Sequence, residues 1–360
     1  MKMKKWRLLT ATAALTLMLG ACGSDDASED KSSSEKTEQT TSDNKTAAND
    51  AAFPMTVKSL TAERELEVTG KDGKATGKVQ KVVFEDVELK EQPKRIITLD
   101  YGFLDTLDAL GVEGIVGIPY GGGEGNMPEQ LKEKYAPSDD IQDVGNLKEL
   151  DLEAIAAAEP DVIFMSGRQS SYYEQLKEIT PNVVFIGSDN ANYIAGVEDS
   201  IDLAAKIFGK EDKAKELKDT LDAKTKEIQE KASKYDNALV TMYSDKQISG
   251  FDDGDDSRFK YVYQSFGFKT AITGLDTSTH GSNLSYEGIL KADPEVLFVI
   301  DRNDQDVEAL KKDVENDIIK KTQAYKNGTI VYLDGTNWYF SSNGATTEVE
   351  KMDEILNELK

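Results

Sequence analysis

From Arg95 onward, short apolar runs alternate with segments that have the period of amphipathic helices. The first set of strand-like runs covers residues 96–99, 114–118, 162–165 and 183–186, with helical segments at 103–110, 152–158 and 172–179. A second set has apolar runs at 238–243, 296–300 and 329–333, with helical segments near 259–265, 286–292, 306–325 and 345–358. Because this order favours parallel strands covered on both faces, it predicts two α/β lobes with mostly parallel central sheets.

Three further segments complete the predicted organisation. Residues 194–234, interrupted only at Gly209, place apolar residues at helical spacing among Lys and Glu, which indicates a long backbone helix that joins the lobes. We therefore expect an N-terminal lobe over 93–193, a C-terminal lobe over 235–360 and a ligand cleft between them. Residues 54–92 alternate apolar and polar positions around Gly70-Lys71-Asp72-Gly73, which predicts an added β-rich segment.

The N-terminus has the pattern of a targeting signal. Four basic residues precede an apolar run of 12 residues, from Leu8 to Leu19, which has the length of a signal peptide and is too short to span a bilayer. Leu19-Gly20-Ala21-Cys22 resembles the bacterial lipobox, which implies a signal peptide over 1–21 and lipidation of Cys22. The alternative is a free cysteine in an ordinary signal peptide. The polar residues 22–53 predict a disordered tether.

The charge of the chain is strongly acidic and excludes some partners. Loss of the four basic residues of the signal would change the net charge from −24 to −28. A surface of this charge disfavours nucleic acid and anionic lipid headgroups. Clustered arginines are therefore unexpected and call for a ligand or a local ion pair.

An internal repeat places two arginines at equivalent points. Residues 151–168 (DLEAIAAAEPDVIFMSGR) and 285–302 (SYEGILKADPEVLFVIDR) align without gaps and end on Arg168 and Arg302. Ligands of open α/β sheets bind beyond the carboxyl ends of the strands, so we expect both arginines, together with Arg258, to face one cleft. Three guanidiniums there indicate an anionic ligand. The alternative is a local ion pair for each, for example with Asp301 or Asp256.

Residues 93–360 resemble the substrate-binding lipoproteins of iron-siderophore ABC importers. The motifs that carry the resemblance are PKRIITLDYGFLDTLDALG, FMSGRQS, DSRF, THGSNLSYEGIL, DPEVLFVIDR and YLDGTNWYFSSNG. The chain is most similar to members that take catecholate or mixed catecholate-citrate siderophores, of the petrobactin type. The resemblance implies that Arg168, Arg258 and Arg302 balance a trianionic ferric complex.

The same resemblance implies roles for five more residues. His280, the single histidine of the chain, and Tyr339 would bind iron where a tetradentate siderophore leaves two sites vacant. Trp338 would adjoin the ligand, and Glu153 and Glu287 would dock on the two arginine-bearing halves of a dimeric permease. Simpler roles stay open for all of them: a surface or core histidine, aromatic residues in an apolar Trp-Tyr-Phe core run, and glutamates that only favour a helix dipole.

Missing motifs narrow the function. The chain lacks G-x-x-x-x-G-K-[ST], H-E-x-x-H, G-x-S-x-G and any Cys-His pair, and residues 121–125 are predicted to form a flexible cleft rim rather than a phosphate loop. One histidine is too few for a receptor of bare zinc or manganese.

We therefore predict a monomeric receptor that is not an enzyme, needs no intrinsic cofactor and binds a ferric siderophore. It would lie on the outer face of the bacterial cytoplasmic membrane and serve a permease dimer with its ATPase. The rival functions are a haem or corrinoid receptor and a surface enzyme that clamps an anionic substrate with Arg168 and Arg302.

Overall fold

The computed structural model describes residues 52–69, 75–121, 127–187, 193–275, 280–303, 306–341 and 343–359. The first part of the chain is β-rich. Strands β1 and β4 pair antiparallel, and β2 and β3 form a second antiparallel pair in which Arg64 lies opposite Val82. The bounds are β1 (Met55–Val57), β2 (Glu63–Thr69), β3 (Ala75–Val83) and β4 (Val87–Leu89).

The first sheet is parallel throughout and has the order β7-β6-β5-β8-β9. Its strands β5, β6, β8 and β9 are continuously buried, as expected for a sheet covered on both faces. The elements are β5 (Ile96–Thr98), α1 (Tyr101–Ala109), β6 (Ile115–Ile118), α2 (Glu129–Lys132), β7 (Gln142–Asp143), α3 (Leu152–Ala157), β8 (Val162–Met165), a 3-10 helix (Gly167–Tyr172), α4 (Tyr173–Ile179) and β9 (Val183–Phe185).

Two helices connect the sheets, α5 (Tyr193–Phe208) and α6 (Glu211–Ala232). The break falls at Gly209, whose φ of +65° lies in the left-handed region that glycine adopts without steric cost. The predicted backbone helix is thus a pair of helices. Leu221 and Ile228 are fully buried, while the remainder of α6 carries Lys and Glu at the surface.

The second sheet is mixed and has the order β12-β11-β10-β13-β14. Strands β10, β13 and β14 run parallel, and β11 and β12 add antiparallel pairs that the sequence pattern did not predict. The elements are β10 (Ala238–Ser244), β11 (Gln247–Phe251), α7 (Lys260–Gln264), β12 (Ser282–Asn283), α8 (Tyr286–Ala292), β13 (Val296–Asp301), α9 (Val307–Val314), a 3-10 helix (Ile319–Lys321), α10 (Gln323–Asn327), β14 (Ile330–Asp334), a π-helix (Thr336–Phe340) and α11 (Ala345–Glu358).

The prediction of one helix over 306–325 is wrong. Helix α9 ends at Val314, and the side-chain oxygen of Asn316 accepts hydrogen bonds from the backbone N–H groups of Ile318 and Ile319, at 2.9 and 3.1 Å. Such a local side-chain bond competes with the helical ladder. The two-lobe α/β fold itself is confirmed.

The last helix ties the two halves of the molecule together. Helix α11 packs against α1, α5 and α6. A carboxylate oxygen of Asp105, in α1, accepts hydrogen bonds from the backbone N–H groups of Thr346 and Thr347 at 2.8 and 3.1 Å, and therefore caps α11 from outside. This arrangement fixes the residues just before α11, which belong to the candidate site.

Candidate functional site

The repeat seen in the sequence is present in the fold. Strands β8 and β13 each occupy the fourth position of their sheet. Arg168 lies in the 3-10 helix that follows β8, and Arg302 directly follows β13. Both arginines therefore lie at the carboxyl ends of equivalent strands, where open α/β sheets bind ligands. Arg258 lies two residues ahead of α7.

Tyr339 brings the predicted residues together. Its backbone carbonyl accepts a hydrogen bond from Arg168 Nη2 at 3.1 Å and another from Arg258 Nη2 at 2.5 Å. The Tyr339 ring lies 4.0 Å from Arg258 Cζ and 4.8 Å from Arg302 Cζ, measured to the ring centroid. Arginines from both sheets thus contact one residue of the π-helix.

The tyrosine hydroxyl also contacts the predicted histidine. Tyr339 Oη lies 3.2 Å from His280 Nδ1, and the two rings are close to parallel at 24°. Tyr339 itself is 6% exposed, whereas His280 is exposed. One phenol oxygen and one imidazole nitrogen therefore point at each other beside the guanidiniums of Arg258 and Arg302.

The three arginines of this cluster carry uncompensated charge. Among the described residues, no carboxylate lies within ion-pair distance of Arg168, Arg258 or Arg302, so the alternative of local ion pairs finds no partner there. Burial lowers the pKa of Arg258 below its usual value, and the nearby charge of Arg168 lowers it further. Adjacent like charges of this kind are unfavourable until an anion arrives.

His280 is held ready in its neutral form. Although His280 is exposed, the desolvation that its neighbours cause lowers its pKa from 6.5, and the charges of Arg302, Arg258 and Lys148 act in the same direction. Neutral imidazole is the form that binds metals. At neutral pH the His280 ring is therefore available as a ligand.

A cavity of about 650 Å³ opens beside the cluster. This volume falls in the range of small-molecule sites. Its walls include Arg168 and Arg258, the aromatic residues Phe259 and Phe340, and Arg64 of strand β2, whereas Arg302 reaches the Tyr339 ring without lining this cavity. No role for Arg64 was predicted, because Glu63-Arg64-Glu65-Leu66-Glu67 has the alternation of an exposed strand.

Trp338 borders the cavity, but its side chain is packed into the core behind it. The indole is completely buried, and its Nε1–H donates to Glu354 Oε2 at 2.9 Å. The ring stacks on Tyr261, with centroids 6.2 Å apart. The sequence predicted a ligand contact for Trp338; the residue borders the cavity, and its side chain is buried against Tyr261.

A buried ion pair in α11 packs against the aromatic residues beside the cavity. Lys351 Nζ donates to Glu348 Oε1 at 2.8 Å and to Tyr193 Oη at 2.9 Å, and neither Lys351 nor Glu348 is exposed. The ammonium lies 4.8 Å from the ring centroids of Tyr261 and Trp338. Charges buried without pairing are costly, so this network fixes α11 against the π-helix that carries Tyr339.

Comparison with known proteins identifies the family. The model of the periplasmic binding protein family matches residues 96–336, which include every element of both sheets. The chain belongs to the periplasmic binding protein family. The resemblance found in the sequence is confirmed at this level, and so is the prediction of a binding protein of the transport class rather than an enzyme.

Relatives of this binding protein share most of its length. The petrobactin-binding protein YclQ of Bacillus subtilis is 33% identical over 364 residues, covering 99% of this chain and 98% of that protein. Its crystal structure has a TM-score of 0.69 and covers 82% of this chain and 99% of the solved one at 32% identity. The ferric-anguibactin-binding protein FatB of Vibrio anguillarum is 30% identical, covering 74% of this chain and 83% of FatB. The catecholate-siderophore binding protein VctP of Vibrio cholerae, a solved structure, is 26% identical, with a TM-score of 0.66, covering 82% and 99% of the two chains.

The two predicted docking residues of the binding protein occupy equivalent places. Glu153 lies in the first turn of α3 and Glu287 in the first turn of α8, and these helices precede the equivalent strands β8 and β13. Asp151 and Ser285 cap the two helices through their side chains, at 3.0 and 3.1 Å. Both glutamates are exposed.

Some predictions lie outside the described residues. These are the signal peptide, Cys22, most of the tether, the turn at 70–73 and residues 122–125 of the predicted rim. Within the described ranges, no helix is long and apolar enough to cross a membrane. The same ranges hold no group of three or more His, Cys, Asp or Glu side chains arranged to bind a metal ion.

Proposed function

We propose that this binding protein captures an anionic ferric siderophore, of the catecholate or mixed catecholate class, and delivers it to an ABC permease. The observation that carries the proposal is the contact with Tyr339 of three arginines, from both sheets, that have no acidic partner among the described residues. Guanidiniums bind carboxylate and catecholate oxygens through strong, charge-assisted hydrogen bonds. A relative that binds petrobactin and another that binds catecholate siderophores support this ligand class.

The mechanism begins with electrostatic capture. A ferric tris-catecholate carries three negative charges, which the three guanidiniums would balance inside a chain of net charge −24. Their mutual repulsion in the free protein is relieved when the anion binds, so the free energy of that relief adds to the affinity. A neutral ferric hydroxamate brings no such gain.

For a tetradentate siderophore, Tyr339 and His280 would complete the iron shell. Two donor atoms at right angles, each about 2 Å from one ion, lie about 3 Å apart. The observed separation of Tyr339 Oη and His280 Nδ1 is 3.2 Å, close to that requirement. Phenolate oxygen is a hard ligand that suits ferric iron. A hexadentate siderophore would leave both side chains without a bond to iron.

Emission from Trp338 offers a direct test. It is one of two tryptophans in the chain, and the other, Trp6, lies in the expected signal peptide. Ferric catecholates absorb broadly, so a complex bound beside Tyr339 should quench most of the Trp338 emission. We expect saturable quenching by a ferric bis-catecholate.

The variants Tyr339→Phe and His280→Ala should lose affinity for this tetradentate complex and lose less affinity for a hexadentate one. Tight binding by an independent assay with unchanged emission would contradict this placement, and a Soret band after haem addition would favour the haem receptor.

Delivery would use the exposed pair Glu153 and Glu287. Their equivalent places on α3 and α8 suit docking on two like subunits of a permease dimer, with ATP hydrolysed by a further subunit. We also propose a monomer that is anchored through lipidated Cys22. The double variant Glu153→Ala, Glu287→Ala should abolish iron uptake by cells while ligand affinity stays intact. Normal uptake would refute the docking role, and lost affinity would show that the glutamates support the fold.

A further inference from the structure

The β-rich segment is bound tightly to the first sheet beside the cavity. Leu60 N–H donates to the carbonyl of Phe185 at 2.8 Å, and Ser59 Oγ accepts from Phe185 N–H at 3.0 Å. Thr61 Oγ1 donates to the carbonyl of Gly187 at 2.8 Å. Residues 59–61 therefore run along the carboxyl end of β9, and Arg168 lies at the carboxyl end of the neighbouring strand β8.

The chain that leaves strand β3 is fixed to the first sheet as well. Phe84 stacks on Phe185 with ring centroids 4.1 Å apart, and meets Tyr173 edge-on at 5.0 Å. Tyr173 Oη accepts a hydrogen bond from Glu85 N–H at 2.8 Å. Because both strands are anchored at the open end of the hairpin, where Phe84 N–H also donates to the Ala62 carbonyl at 2.8 Å, the first sheet sets the position of Arg64 near that end.

Arg64 lies on the inner face of this hairpin. It pairs with Val82, and Val82 and Leu66 pack against the core. The Arg64 guanidinium lies over Phe185, with Cζ 5.8 Å from the ring centroid, and presses against Gly167, where an added Cβ would fall 1.9 Å from Nη1. Gly167 directly precedes Arg168, so Arg64 extends the row of cations along the cavity wall.

Arg64, like the three cluster arginines, has no acidic partner in the described part of the chain. Of the acidic residues that line the same cavity, Asp100 already accepts a hydrogen bond from Phe103 N–H as the cap of α1, and Asp255 and Asp256 are exposed. Partial burial lowers the pKa of Arg64. Arg64 itself is exposed, so an anion in the cavity can reach its guanidinium, which Phe185 and Gly167 hold in place without an acidic partner among the described residues.

We propose that Arg64 is a fourth arginine of the ligand site and contacts an anionic oxygen of the bound ferric complex. This inference rests on the proposed function and deepens it: the negative charge of the ligand extends past the cluster at Tyr339 toward the hairpin. The β-rich segment thereby gains a role as one wall of the binding cavity. The alternative is that Arg64 only packs on Phe185.

Titrations with a trianionic ferric tris-catecholate and with a neutral ferric hydroxamate separate ligand contact from packing. Arg64→Ala should weaken binding of the trianion about 5- to 20-fold, the lower part of the range for a charge-assisted contact. Arg64→Lys keeps the charge but loses the paired N–H donors of the guanidinium, so its loss of affinity should be smaller than that of Arg64→Ala. The matched control is Lys81→Ala, which removes one positive charge from the same hairpin at a solvent-exposed ion pair with Glu63. Lys81→Ala should leave both affinities unchanged.

Gly167→Ala supplies a second test that does not touch Arg64 itself. The new methyl group would displace the Arg64 guanidinium, and the φ angle of Gly167 is one that alanine adopts. Gly167→Ala should therefore weaken binding of the trianion, and should have a much smaller effect when combined with Arg64→Ala. Fully additive losses would contradict the proposal.

Proximity gives a readout independent of affinity. In the full chain, Cys22→Ser removes the single native thiol, so Arg64→Cys introduces the sole one. The ferric complex should slow alkylation of that thiol at least about fivefold if the ligand covers it.

The possible outcomes are distinct. If the parent binds no ferric siderophore, the proposed function fails. If the parent binds the trianion but Arg64→Ala matches Lys81→Ala and alkylation is unprotected, the role of Arg64 alone fails. Equal losses for the trianion and the neutral complex would show that Arg64 serves packing.

Discussion

Replacement of Arg258 by alanine should separate ligand affinity from stability. Arg258 is half-buried, donates to the Tyr339 carbonyl and lies on the Tyr339 ring, so its side chain is already ordered before a ligand arrives. A charge-assisted contact to the ligand then contributes about 1.5–3 kcal/mol. We expect Arg258→Ala to weaken binding of a trianionic ferric catecholate about 10- to 150-fold.

The same change should cost little stability. Loss of the carbonyl hydrogen bond and of the ring contact removes about 1 kcal/mol each. Relief of desolvation and of the repulsion from Arg168, which together lower the pKa of Arg258, acts in the opposite direction. The free energy of unfolding in the absence of ligand should therefore change by about 1 kcal/mol or less.

Arg95 provides a matched control. Its Nε and Nη2 also donate to a backbone carbonyl, that of Ala158, at 3.0 and 2.5 Å, but Arg95 precedes β5 and lies at the amino end of the sheet. Arg95→Ala should lower the free energy of unfolding by about 1 kcal/mol and leave affinity unchanged. Isothermal titration at several salt concentrations, with urea denaturation in parallel, measures both quantities. A strongly destabilised Arg258→Ala protein with parental affinity would refute the reasoning.

Three further predictions concern pH and the buried network. Burial raises the pKa of Glu354 to about 7, so the folded protein favours the protonated carboxyl. The contribution of that protonated carboxyl to the free energy of unfolding is full below about pH 4.5 and is lost as pH rises through 7. At pH 8, urea denaturation should therefore show Glu354→Gln to be more stable than the parent by up to about 3 kcal/mol. Because the pKa of His280 is lowered, affinity for a tetradentate ferric complex should persist at pH 6.5 and fall only at more acidic pH. Affinity for a hexadentate complex, measured in parallel, should not show this additional fall. A parallel fall for both complexes, or an unchanged pH profile in His280→Ala, would count against iron coordination by His280. Lys351→Met should cost about 3–5 kcal/mol of stability because Glu348 stays buried without its partner, whereas Lys351→Met combined with Glu348→Gln should cost less than Lys351→Met alone.

The sequence predicts those parts of the site that depend on strand ends. The apolar runs before Arg168 and Arg302 are long enough to require burial, so the arginines that follow them must lie at the carboxyl ends of the strands. The internal repeat then places both arginines at the carboxyl ends of equivalent strands. These two features follow from local pattern alone.

The remaining features depend on contacts between distant segments. Arg64 comes close to Gly167 only because residues 59–61 and 84–85 bind the first sheet, and an isolated strand pattern contains no sign of this. The burial of Trp338 likewise results from α11, whose Glu354 accepts the indole N–H. An apolar Trp-Tyr-Phe run does not tell which ring faces the core and which the ligand.

In the proposed mechanism, charge selects the ligand. The most direct measurement is a titration of the purified protein, under identical salt and pH, with a trianionic ferric tris-catecholate, with ferric citrate and with a neutral ferric hydroxamate. Three uncompensated arginines around Tyr339 predict tight, saturable binding of the catecholate complex and at least about 100-fold weaker binding of the neutral one. Equal affinity for the neutral hydroxamate, or no binding of any ferric complex, would contradict selection by charge.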